Sequence, residues 1–101
     1  MTSQRDLFDY IVPRDGETFD TLLSHKNIDI VRIVSSDRPD TTLYCQEEDE
    51  WAIVLRGEAL LRIDGEEKRV RSGEWIFIPA HTRHTVVQTK RGTLWLAIHI
   101  R

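Results

Sequence analysis

From Ile28 onward the chain is a succession of short apolar or alternating runs cut by turn residues. Ile28, Ile30 and Val34, interleaved with Val31 and Ile33, make a β-branched run that Ser35-Ser36-Asp37-Arg38-Pro39-Asp40 closes. Residues 41–46 read as the next strand. The acidic stretch Glu47-Glu48-Asp49 breaks it, and residues 51–55 resume as strand up to Gly57. Residues 59–63 follow, then Asp64-Gly65, a pair whose tolerance of positive φ makes it a strong hairpin signal. Residues 67–70, 75–78, 85–89 and 94–100 complete the strand set. Ahead of Ile28 the pattern is weaker. Residues 1–9 are polar and expected to be loosely ordered. Residues 10–13 form an apolar patch that Pro13 confines to an edge or a strand start. Residues 19–25 are the one stretch that reads as a helical turn.

Short strands at near-regular spacing with almost no helix predict an all-β sandwich or barrel. Closure is favoured in so short a chain, because an open sheet would leave long unpaired edges. At 101 residues there is room for one domain, residues 1–101, around one core. A hydrophobic share of 40% suffices for that core and sets disorder aside. The net charge of -3, with arginines scattered among acids, lacks the clustered basic face that nucleic acid requires. The single cysteine, Cys45, excludes an internal disulfide and a multi-thiolate zinc site. No run is long enough to span a bilayer as a helix, and the first residues lack the apolar segment of a signal peptide. A reducing, cytoplasmic setting is the default expectation, with no nucleic acid or membrane partner.

Two stretches carry motifs. In the first, Glu50 and Gly57 are separated by six residues, preceded by Tyr44-Cys45-Gln46. The second runs from Gly73 through Pro79 to His84. Their order and separation resemble the paired signature motifs of the cupin superfamily, in a Tyr-x-Gln variant of the first, across about residues 41–90. The resemblance implies a single cupin, jelly-roll-like β-barrel, and a homodimer. In that family two histidines and the Glu of the first motif, with the His of the second, hold a divalent metal. Here the two histidine positions carry Tyr44 and Gln46, and His81 stands where the second motif has a glycine.

Carried over residue by residue, Glu50 and His84 remain as metal ligands, and Gln46 can add a carbonyl oxygen. Iron, manganese, zinc and nickel suit such a set about equally. Tyr44 and His81 become candidates for proton transfer or substrate hydrogen bonding. Strand parity puts Tyr44 and Gln46 on one face and turns Cys45 away, which reads Cys45 as a buried small residue. His81 and His99 are reserve imidazoles; His25 and His99 are read as structural. If Glu50 points inward, Ala52 and Val54 do too, and Trp51, Ile53 and Leu55 form an outer face that a second sheet or another subunit must cover. The leading expectation is a metal-assisted protein acting on a small organic molecule, as an oxygenase, isomerase or decarboxylase. The alternative is a metal-poor cupin that binds a small ligand, or only self-associates, without catalysis.

Overall fold

A computed structural model describes residues 6–101. Its eight strands are β1 (Glu17–His25), β2 (Ile28–Ser35), β3 (Asp49–Arg56), β4 (Glu58–Ile63), β5 (Glu66–Arg71), β6 (Trp75–Ile78), β7 (His84–Thr89) and β8 (Thr93–Ile100). They form two antiparallel sheets, one ordered β1-β2-β8-β3-β6 and the other β5-β4-β7. Among the described residues no helix is long and apolar enough to cross a membrane.

The two sheets face one another because each central strand buries alternate residues. On β3, Ala52 and Val54 point inward and are buried, whereas Trp51, Ile53 and Leu55 on the other face are half-buried. Val31 and Ile33 of β2 and Trp95 and Ala97 of β8 join the inner layer. Ala59, Leu61 and Val70 meet them from the smaller sheet. Fully burying a side chain such as Val54 contributes about 1.5–3 kcal/mol, so this layer is what closes the barrel.

Turn chemistry fixes the register. Asp64 and Gly65 both hold positive φ, 50° and 84°, and make the tight turn from β4 to β5. Gly57, at φ 88°, answers to a stricter demand: a Cβ there would lie 2.8 Å from the Thr93 Cα. The glycine of the first motif is therefore needed where β3 turns into β4 against the start of β8. His81 also has positive φ, 64°. It occupies the left-handed conformation that explains a glycine at this place in the second motif.

Several expectations change. Residues 19–25, expected to form a helical turn, lie in β1 and pair antiparallel with β2 from Glu17↔Ser35 to His25↔Ile28. Lys26 at φ 53° closes that hairpin, and its cross-strand hydrogen bonds override a weak local helical preference. Residues 41–46 are not a strand; only Tyr44 makes a bridge, to His84. Thr41 takes positive φ (56°), and the Asp40 carboxylate accepts the Thr42 N–H at 3.1 Å, which diverts the chain from regular pairing. Cys45 is exposed rather than buried, because its segment lies outside the sheets and is paired only through the Tyr44–His84 bridge.

The N-terminal segment packs on the outside of the larger sheet. Residues 1–5 lie outside the described residues, but residues 6–9, expected to be loose, are tied down. The Arg32 guanidinium donates to the carbonyls of Asp6, Leu7 and Asp9, the last at 2.9 Å, and pairs with Asp20 at 3.0 Å. Residues 10–13 continue that crossing without forming a strand. Beneath this end, the register partners Val34 and Leu94 are completely buried.

Candidate metal-binding pocket

A cavity of about 60 Å³ opens between the sheets. Its floor is apolar: Ile33, Ala52, Leu61, Ile76, Ile78, Val86 and Trp95. The polar groups that reach it are Glu17, Tyr44, Gln46, Glu50, His84 and His99, and Phe19, 55% exposed, stands at its mouth. Among the described residues no lysine or arginine lines it.

Four of the five site residues expected from the sequence therefore face one space: Tyr44, Gln46, Glu50 and His84. His81 is not among the lining residues; it is exposed, and its main-chain N–H donates to the Gln46 carbonyl at 2.7 Å. It holds the Gln46 backbone instead.

Glu50 reaches inward from β3, with a side chain only 12% exposed. Its Oε1 lies 4.0 Å from His84 Nε2, and its Oε2 lies 3.6 Å from His99 Nε2. Both separations exceed a hydrogen bond. His84 is oriented from behind: its Nδ1 is 3.0 Å from the Thr82 carbonyl, which can only accept, so Nδ1 carries the proton. Nε2 is thereby turned toward Glu50. Tyr44 adds a second restraint, stacking on the His84 ring at 5.5 Å between centroids.

His99, read as structural, arrives here because β8 pairs with β3 in the register Glu50↔His99. Its Nε2 is buried with no hydrogen-bond partner, and its Nδ1 lies 3.8 Å from Glu48 Oε1. The Glu50 carboxylate beside it raises the imidazole pKa, with burial opposing. Glu17 is the other unanticipated residue. Its Oε2 accepts the Ser35 hydroxyl, and Ser35 Oγ in turn accepts Trp95 Nε1–H at 3.1 Å. Burial pushes the Glu17 carboxyl up, Ser35 opposes this, and Asp40 and Glu50 push it up further. Burial, followed by Asp40 and Glu17, likewise holds the Tyr44 phenol above its ordinary range.

Among the described residues, no three His, Cys, Asp or Glu side chains are already gathered tightly enough to enclose an ion. Glu50 has one imidazole nitrogen 4.0 Å from one oxygen and another 3.6 Å from the other.

Fold and pocket together define a small β-barrel with an acid and imidazoles facing an internal cavity. The chain matches the cupin domain family over residues 40–99, and it belongs to that family. An uncharacterized protein of Aquifex aeolicus (strain VF5) is 35% identical over 69 residues, 68% of this chain and 54% of that protein. The chain thus spans about half the length of the curated relative it matches. The crystal structure of a proposed mannose-6-phosphate isomerase from Ralstonia eutropha JMP134 is similar over 94% of both chains, with 36% identity and a TM-score of 0.82. A cupin superfamily protein from Desulfitobacterium hafniense DCB-2 shares the fold at 20% identity, with a TM-score of 0.77 over 89% of this chain and 83% of that one.

Proposed function

We propose that this cupin holds a divalent metal through Glu50 and His84, with Gln46 as a further oxygen ligand, and acts on a small uncharged organic molecule. The observation that carries the reading is the Glu50 carboxylate: it is largely buried, faces imidazole nitrogens, and among the described residues has no lysine or arginine beside it in the cavity. A buried carboxylate is costly without a compensating cation. His84 fits the same purpose, with Nδ1 tied to Thr82 and Nε2 free toward Glu50. A divalent metal bound there supplies a Lewis acid able to polarise a carbonyl or orient a substrate oxygen.

The remaining groups bind, orient and exclude water. The apolar floor favours a ligand with a hydrocarbon body. Tyr44, stacked against His84, would hold or pass a proton at its hydroxyl. Glu17 and Glu50 offer no counter-charge to a phosphate, and among the described residues no lysine or arginine lines the space. The phosphorylated sugar in the name of the Ralstonia relative is therefore not carried over to this chain.

A second reading, a binding protein without a metal, is favoured by Tyr44 and Gln46 at two family ligand positions and by the open spacing of the acid–imidazole group. Elemental analysis of the purified protein beside Glu50→Gln and His84→Ala decides between them. Near-stoichiometric metal in the parent, lost in both variants, supports the metal reading. No metal after reconstitution with iron, manganese, zinc and nickel would falsify it in favour of a plain binding cavity.

A further inference from the structure

We infer that His99, from the last strand, is the second imidazole ligand of this site, and that Glu48 is its positioning residue. The inference rests on the metal reading above and goes beyond it, because neither residue belongs to a motif in the sequence.

The geometry is specific. Glu50 presents one oxygen to each ring: Oε1 to His84 at 4.0 Å and Oε2 to His99 at 3.6 Å. Two ligands about 2.1 Å from one tetrahedral ion lie about 3.4 Å apart, so these gaps are wide by only about 0.2 and 0.6 Å. Side-chain rotation covers such a difference. His99 Nε2 is cut off from solvent and has no hydrogen-bond partner. Leaving a buried polar atom unmatched is costly. A direct charge-assisted bond to Glu50 would close to about 2.7–2.9 Å, well short of the separation seen. An ion between nitrogen and carboxylate satisfies both groups.

The far side of the ring supports the same conclusion. Glu48 Oε1 lies 3.8 Å from His99 Nδ1, on the nitrogen that does not face the cavity. At that distance Glu48 acts on the ring through its charge rather than a hydrogen bond, and a carboxylate behind a ligating histidine raises its basicity. Thr82 does the corresponding service for His84 through a carbonyl. Two imidazoles and one carboxylate would then come from β7, β8 and β3, with Gln46 beside them.

The test is electron paramagnetic resonance of the copper(II)-loaded protein, with zinc affinity measured by calorimetry. The parent should show superhyperfine coupling to two imidazole nitrogens, and His99→Gln to one, with zinc affinity lowered about 10- to 100-fold. Glu48→Gln should keep both nitrogens and bind zinc about 10-fold more weakly. Melting of the metal-free proteins establishes that each variant folds, and the parent spectrum needs no variant at all. A single nitrogen in the parent, or unchanged coupling in His99→Gln, overturns the inference and leaves the metal reading standing. A parent protein that takes up no metal overturns both.

Discussion

Tyr44 and His84 are joined twice. Their main chains exchange N–H···O=C bonds at 2.8 and 3.0 Å, and their rings stack with planes 24° apart. The first join places Tyr44 without a strand around it; the second presses the phenol ring against the imidazole. The tyrosine at a family histidine position thus has a role that does not require ligation, since it steadies the histidine that remains.

This separates ring from hydroxyl. Tyr44→Phe keeps the stack and should leave zinc affinity within about 2-fold, because an aromatic contact survives. Tyr44→Ala removes it, at about 0.5–1.5 kcal/mol beyond lost burial, and should weaken zinc binding up to about 10-fold. Calorimetric titration of the three proteins reads the difference. An alanine variant that binds like the parent would show that the stack does not position His84.

Glu17 gives the barrel a pH signature. Its carboxyl is pushed up chiefly by burial, so between the unfolded and folded pKa values the native state holds a proton that the unfolded chain releases. That contribution is fully present below the unfolded value and is lost as pH rises through the folded one. Asp29 and Glu58 are shifted the other way, by hydrogen bonds to Ser24 and Arg101 and to Arg69 respectively. Their contributions are present above their unfolded values and fade as pH falls below them. Glu17→Gln should therefore raise the Tm of the metal-free protein at pH 7, by less than about 8 °C for a change under about 1 kcal/mol. The gain should vanish on acidification below the ordinary carboxyl range. A pH-independent difference between the two proteins would assign the effect to the Ser35 hydrogen bond instead.

Much of the barrel is legible in the sequence because its central strands are buried on one face. Ala52 and Val54 against Trp51, Ile53 and Leu55 is the alternation such burial imposes, and Asp64-Gly65 marks its hairpin directly. β1 is harder to read. It is an edge strand whose residues from Thr18 to His25 are all exposed, so no buried face enforces a period of two. The pocket divides along the same line. Glu50, His84, Tyr44 and Gln46 sit on or beside motifs, whereas Glu17 and His99 enter through the pairings Glu17↔Ser35 and Glu50↔His99. One signal was available for His99: it shares parity with Trp95 and Ala97, the buried side of β8. Its register against β3 is a long-range fact that no local pattern encodes.

The outer face of the larger sheet bears on self-association. Trp51 pairs with Phe77 across β3 and β6, Ile53 with Trp75, and on the other side Trp51 and Ile53 neighbour Ile98 and Leu96. Trp75 is 60% exposed and Phe77 50% exposed, with the Trp51 and Trp75 rings 6.0 Å apart. The N-terminal segment, anchored by Arg32 and by Arg56 against the Phe8 ring, is held at the Val34–Leu94 end. We propose that a second copy of the chain covers the aromatic end, since a contiguous apolar patch of this kind marks an interaction surface and cyclic dimers are the commonest oligomer. A lysine at its centre would have to be buried unpaired. Phe77→Lys should convert dimer to monomer in light scattering at micromolar concentration while leaving zinc affinity unchanged, because Phe77 points away from the cavity that Ile76 and Ile78 line. A parent protein that already runs as a monomer, or a variant that stays dimeric, would move the contact elsewhere, with the exposed β1 edge the next place to substitute.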